Sequence, residues 1–230
     1  VWTSAEVAAV CGDEAAALVA RVYDVRPEGN WHDPHGHGPQ QASILHLTGE
    51  LIDDREAALL ATAEAQLLLA RRQRIAPLLD DKILSSTNGL ALAGLADAAR
   101  VLDDEALRRA ARTTARFLLD HMRDGSGRLY RTKTTGQPAR LPGTLDDHAF
   151  VADGLIALYE ATGEGEWFDA ALALTRLSLQ LFYDERRAAM FLIAATDEPL
   201  VVRPSSFHDS AIPSGLAVAV QCMLRLGAAT

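Results

Sequence analysis

Apolar residues recur at steps of three and four along most of this chain, with alanine and leucine filling the repeating positions. That period matches the roughly 3.6 residues per turn of an α-helix that buries one face. The spacing predicts helices over 13–23, 55–75, 89–102, 105–122, 148–161, 166–182 and 214–226, with Pro77 stopping the second. Thr3 and Glu6 have the spacing of a capping box, in which hydroxyl and carboxylate each satisfy a free backbone N–H, so a further short helix starts there. Two pairs of β-tolerant runs interrupt the helices. Residues 129–134 and 139–141 flank Gly136, and 190–194 and 200–203 flank Asp197-Glu198-Pro199, so each pair predicts a hairpin.

A fixed period in the sequence organises these elements. Gly94-Leu95-Ala96 aligns with Gly154-Leu155-Ile156, Leu107 with Trp167, Leu119 with Leu179 and Asp124 with Asp184, all at an offset of 60. A third copy opens at Ser214-Gly215-Leu216, in register with Asn88-Gly89-Leu90. The repeating unit is helix, turn, helix, hairpin, and such units stack into a bundle, an open solenoid or a closed ring of inner and outer helices. No boundary shows from Arg55 onward. The loop over 28–41, rich in Gly and Pro, is the one linker the composition suggests.

Composition narrows the function classes. The 230 residues are 49% hydrophobic with a net charge of −9, enough for one sizeable core or two small ones at ~100–200 residues per domain. With no basic run interleaved with aromatics, neither nucleic acid nor an anionic membrane surface is an expected partner. The longest uncharged stretch, 210–224, falls short of the ~20 apolar residues that a spanning helix needs. Cys11 and Cys222 stand alone, so no disulfide framework or thiolate zinc site is expected and a reducing, cytoplasmic setting is the default.

The candidate chemistry collects just before the helices that open each repeat. Asp80, Asp81, Lys82 and Asn88 precede or open the first; Thr144, Asp146, Asp147 and His148 the second; His208, Asp209, Ser210 and Ser214 the third. If these are the inner helices, three segments deliver their side chains to one mouth, where helix N-termini also favour bound oxygens or anions. Capping competes for Asn88, Asp146 or Asp147, and Ser214, since these residue types are preferred N-caps. It does not account for the doubled acids or for Lys82, and paired carboxylates are a means of dividing acid and base roles. Asp81, Asp146, Asp147 and His148 are therefore the candidate catalytic residues. Asp80, Lys82, Asn88, His208, Asp209 and Ser214 are the candidate ligand-binding residues. His32, His35 and His37 suit neither one helix face nor a zinc-finger spacing, so no metal and no cofactor is assigned. No serine-hydrolase elbow or phosphate-cradling glycine loop occurs. Trp2, Trp31 and Trp167 suit ligand stacking or, at helical spacing, the core.

The run Asp80-Asp81-Lys82-Ile83-Leu84-Ser85-Ser86-Thr87-Asn88-Gly89-Leu90 resembles the Asp-Asp-Lys-x-Leu-Thr-x-Trp-Asn-Gly-Leu segment of a family that joins a thioredoxin-like domain to an (α/α) toroid, and that includes the spermatogenesis-associated thioredoxin-like proteins. The resemblance continues at Val1-Trp2-Thr3, Gly29-Asn30-Trp31, Ile44-Leu45-His46, Leu145-Asp146-Asp147-His148-Ala149-Phe150 and Asp209-Ser210-Ala211-Ile212-Pro213-Ser214-Gly215. Thr87 stands where that family has Trp, His148 where it has Tyr, and Leu216-Ala217 where it has Asn-Ser. The resemblance implies a toroid related to N-acylglucosamine 2-epimerases and six-hairpin glycosidases. It carries over Asp80, Asp81, Lys82, Asn88, Gly89, Asp146, Asp147, Asp209, Ser214 and Gly215 as shared positions.

The expected whole is thus a mainly α fold, one partial (α/α)-toroid domain over 1–230, with an irregular stretch over 1–54, hairpin repeats over 55–230 and no thioredoxin-like domain. Its expected role is to bind a sugar-like ligand at an acidic mouth, with epimerase-like or glycosidase-like chemistry. The alternative is a non-catalytic binding or scaffolding module. Self-association or missing flanking chain is expected, because an open arc leaves the end helices without neighbours.

Overall fold

In a computed structural model, which describes residues 1–32, 35–36, 40–50, 53–197, 201–205 and 207–230, the chain forms two compact units, Val1–Leu79 and Asp80–Thr230. The first begins with α1 (Ser4–Cys11), and the capping box is present: the Glu6 N–H donates to Thr3 Oγ1 at 3.2 Å, and Glu6 Oε2 accepts the Thr3 N–H at 2.8 Å. α2 (Asp13–Tyr23) ends at Asp24 in the left-handed region, and Asp53 caps α3 (Asp54–Arg72) by accepting the Glu56 N–H at 2.8 Å. The three helices pack on one another around Trp2, Val7, Leu18, Val19, Val22, Leu60, Ala63 and Leu67. Trp2 also bridges to Ser43, and Asn30 bonds the backbone of Ile44 through both ends of its amide. The described part of 28–41, which composition suggests as a linker, is therefore stitched into the first unit, and the units divide after Leu79. α3 packs against α1 and α2 in the first unit, whereas the sequence is expected to start its hairpin repeats at residue 55.

The second unit holds that series. β1 (Ile83–Leu84) leads into α4 (Ser85–Leu102), which turns at Asp103 into α5 (Glu105–His121); β2 (Tyr130–Lys133) and β3 (Arg140–Pro142) follow. Then come α6 (Leu145–Thr162), a left-handed turn at Gly163, α7 (Gly165–Phe182), β4 (Tyr183–Asp184), β5 (Ala189–Met190) and α8 (Gly215–Ala229). β1, β2 and β3 form one antiparallel sheet with β2 in the middle. α6 lies between α4 and α8, while α5 and α7 cover the outside, so the unit is a row of helical hairpins with inner and outer helices. Twelve of the 18 residues of α6 are buried, as a helix covered on all sides requires. Phe150, Leu155 and Leu158 are fully buried there, each contributing about 1.5–3 kcal/mol. α5 keeps a charged outer face, on which Arg112 and Arg116 pair with Glu164 and Glu166 of the next hairpin.

Glycines set how closely the inner helices approach. A Cβ on Gly89 would lie 2.5 Å from the carbonyl carbon of Phe150, and one on Gly154 would lie 2.8 Å from the Gly89 carbonyl oxygen, so α4 and α6 meet backbone to backbone.

Two expectations need correcting. α4 begins at Ser85, four residues before the expected start, and α6 at Leu145, three before, so Asn88, Asp146 and Asp147 lie within first turns and cap nothing as N-cap residues. β5 pairs with β4 and, among the described residues, not with 201–203: the Asp184 carboxylate accepts the Arg186 and Arg187 N–H groups and closes a tighter turn. Glu198, Pro199 and Leu200 of the expected hairpin lie outside the described residues, as do Asp33 and His37 of the histidine-rich loop.

Candidate functional site

The N-terminal ends of α4, α6 and α8 meet through two adjacent aspartates. Asp147 Oδ2 accepts the Thr144 N–H at 2.8 Å and the Thr144 hydroxyl at 2.9 Å, while Oδ1 accepts the Ser86 N–H in the first turn of α4 at 2.9 Å. On the other side of the same turn, Asp146 faces α8: a Cβ on Gly215 would lie 2.1 Å from Asp146 Oδ1, and the Gly215 N–H points at the carboxylate. Residues from three separate segments thus share one end of the second unit.

Their roles differ. Asp147 is fully buried and its two oxygens are taken up by three donors, so it works as a clamp between α6 and α4. His148 is equally buried, with its ring edge-on to Phe182. Its Nε2 lies 3.2 Å from the Leu129 N–H, a fixed donor, so that nitrogen must accept and Nδ1 must carry the proton that it donates to Thr144 O at 2.8 Å. Burial pushes its pKa down to about 4, which keeps the ring neutral and removes it from proton transfer at neutral pH.

Asp146 is different. It is half-buried, and desolvation, followed by the neighbouring charge of Asp147, raises its pKa; Arg131 on β2 and the Gly215 N–H oppose the rise. A carboxylate held in a partly dry site, with one backbone donor and a guanidinium nearby, keeps lone pairs for a ligand.

The remaining candidates lie on the segments that lead into or open α4 and α8. Asp80, Asp81 and Lys82 are exposed ahead of β1; Lys82 Nζ pairs with Asp80 at 3.1 Å and holds that carboxyl below its usual range. Asn88 turns its amide back to the Leu84 carbonyl at 2.9 Å. Ser214 caps α8 by accepting the Ala217 N–H, and Asp209 fixes the approach to it by accepting the Ser214 N–H at 2.8 Å; His208 precedes it on the exposed loop. Among the described residues, no cluster of three or more His, Cys, Asp or Glu side chains is placed to hold a metal ion, and no helix is long and apolar enough to cross a membrane. Arg131 carries no signal in the sequence: it sits in an expected strand, and only the pairing of that strand with β1 brings it toward Asp146.

No family model matches the chain. It is 37% identical to human spermatogenesis-associated protein 20 over 98% of its own length and 32% of that protein's. With the rat protein of the same name it shares 36% identity over 91% of its length and 29% of the relative's. Among solved structures, a sugar epimerase from a ruminal bacterium matches 77% of this chain and 49% of its own, with 14% identity and a TM-score of 0.48. The cellobiose 2-epimerase of Bacillus thermoamylovorans matches 49% of this chain and 30% of its own, with 25% identity and a TM-score of 0.46. The chain spans about a third of the length of the curated relatives it matches. Nearly the whole chain is thus homologous to about a third of spermatogenesis-associated protein 20.

Proposed function

We propose that the shared N-terminal end of α4, α6 and α8 binds a hydroxyl-rich, sugar-like ligand, with Asp146 accepting hydrogen bonds from its hydroxyls. The observation that carries this reading is the half-buried Asp146 carboxylate, which lies in the first turn of α6 and faces the start of α8 while its neighbour Asp147 is consumed by structural bonds. In this reading Asp80, Asp81 and Lys82, ahead of α4, and His208 and Asp209, ahead of α8, would add the polar contacts of its rim. Hydrogen bonds to a charged acceptor are worth about 1.5–3 kcal/mol each, so a carboxylate in a partly dehydrated mouth can anchor a neutral polyol.

Binding is favoured over turnover by the two residues next in line. Epimerase-like chemistry needs proton-transfer groups on both faces of one carbon, and the enclosed His148 and the fully bonded Asp147 supply neither. Turnover is the second reading, carried by the raised proton affinity of Asp146, which suits an acid.

Saturation-transfer NMR with glucose, mannose and N-acetylglucosamine tests the proposal. Binding by the wild-type chain and its loss in Asp146→Asn is the expected result. No binding to any of the three, or equal binding by the variant, overturns it; conversion of a bound sugar would select the second reading.

A further inference from the structure

One bulky side chain ahead of α6 stands on a backbone conformation that leucine avoids. Leu141, the middle residue of β3, has a φ of 63°, in the left-handed region where a Cβ crowds the following carbonyl, and Pro142 after it restricts its backbone further. Burial does not offset the strain, because the residue is 56% exposed.

Fixed points on either side hold it there. Before it, Arg140 pairs with Thr132 on β2. After it, the Gly143 N–H donates to the Leu129 carbonyl at 2.7 Å, the Gly143 carbonyl accepts from Arg128 at 3.2 Å, and Asp147 takes the Thr144 N–H. Glycine or asparagine would meet the same closure without the crowding, so the fold has no need of a leucine here. Strain imposed by the surroundings on an exposed residue is a mark of functional sites.

Its position relates it to Asp146. The register of β2 with β3 matches Tyr130 with Pro142 and Thr132 with Arg140, which sets Leu141 opposite Arg131. Thr132 is buried while Arg131 and Leu141 are exposed, so theirs is the open side of the sheet. Arg131 is also the residue whose charge acts on Asp146, five residues along the chain from Leu141. We infer that Leu141 is a ligand-contacting residue of the mouth, the apolar surface against which a ring held by Asp146 lays its C–H face. The inference rests on the sugar-binding reading and adds to it a demand for an apolar face beside the hydroxyls.

Two variants separate strain from contact. Leu141→Asn tolerates the left-handed backbone but is polar, whereas Leu141→Met stays apolar and strained. Each chain is titrated with glucose, mannose and N-acetylglucosamine by saturation-transfer NMR and melted beside wild type. Leu141→Asn should melt about 2–4 °C higher and bind about fivefold more weakly, while Leu141→Met should match wild type in both. A higher melting temperature with unchanged binding in Leu141→Asn would make the residue structural and overturn the inference. So would a Leu141→Asn chain that melts no higher than wild type, or a Leu141→Met chain that binds as weakly as Leu141→Asn. If wild type binds none of the three sugars, the reading of the mouth fails and this inference with it; if wild type binds and Leu141→Asn binds equally well, this inference fails alone.

Discussion

Asp147 and Ser86 join two inner helices through one hydrogen bond, carboxylate Oδ1 to backbone N–H at 2.9 Å, between the first turns of α6 and α4. A helix start leaves N–H groups unpaired, and here the acid of one start satisfies the donor of its neighbour. The same carboxylate closes its own turn on Thr144, so one side chain sets both the local geometry of α6 and its register against α4.

Asp147→Ala removes acceptors from three donors at once. Each buried polar group left unsatisfied costs about 1–3 kcal/mol, so the loss should reach about 3 kcal/mol or more. Urea unfolding followed by circular dichroism reads this as a midpoint lowered by about 1 M for a slope near 3 kcal/mol/M. A variant within half a kilocalorie of wild type would show that the clamp does not hold the helices.

His148 makes stability depend on pH. Its folded pKa of about 4 lies below the ordinary 6.5, so the unfolded chain binds the extra proton first as pH falls. The contribution is complete above about 6.5 and is lost on the way down through 4, amounting to at most about 3 kcal/mol at 1.36 kcal/mol per unit. An NMR titration of its ring protons in the folded chain should give a midpoint near 4. A midpoint near 6.5 would mean that the ring is accessible and the Leu129 bond dispensable.

The helices are legible in the sequence because their evidence is local: the three-and-four spacing, the Thr3–Glu6 box and Ser214 as the cap of α8 need no partner to be read. The 60-residue period also carries the pairing of inner with outer helices. What stays hidden depends on long-range contact. Nothing around Asp147 announces that its Oδ1 reaches Ser86, 61 residues away, so the doubled acid looks like a catalytic pair when one member is structural. His148 likewise reads as a candidate base until Leu129 and Thr144 enclose it. β1 is two residues long and exists only because Tyr130–Lys133 pairs with it, which is why the spacing alone starts α4 too late.

Two glycines on inner helices should respond oppositely to the same change. Gly94 in the middle of α4 has open space where a Cβ would go, so Gly94→Ala should stabilise by about 1 kcal/mol through helix propensity alone. Gly215 has the Asp146 carboxylate 2.1 Å from that position and its Cα at 2.9 Å, so Gly215→Ala must push α8 away from α6. Overpacking of this kind costs about 1–3 kcal/mol. Thermal unfolding of the two variants should therefore move in opposite directions. Equal shifts would show that α8 does not pack as closely on α6 as the spacing implies.

Asp146→Asn separates stability from binding. The folded pKa of Asp146 is raised, so its contribution is fully present below the ordinary 3.8 and is lost as pH rises through the folded value. At pH 7 the ionised side chain is therefore a cost that the neutral amide escapes, while its oxygen can still accept the Gly215 N–H. The variant should melt at the same temperature as wild type or a few degrees higher, and the gain should shrink as pH approaches 4. If the carboxylate is kept for a ligand, the same variant should lose sugar binding, the exchange of stability for function found at many sites. Calorimetric melting at pH 4 and pH 7, run beside saturation-transfer measurements, gives both readings from one protein. A lower melting temperature at pH 7 would make Asp146 a structural residue like Asp147, and would remove the one carboxylate on which the mouth depends.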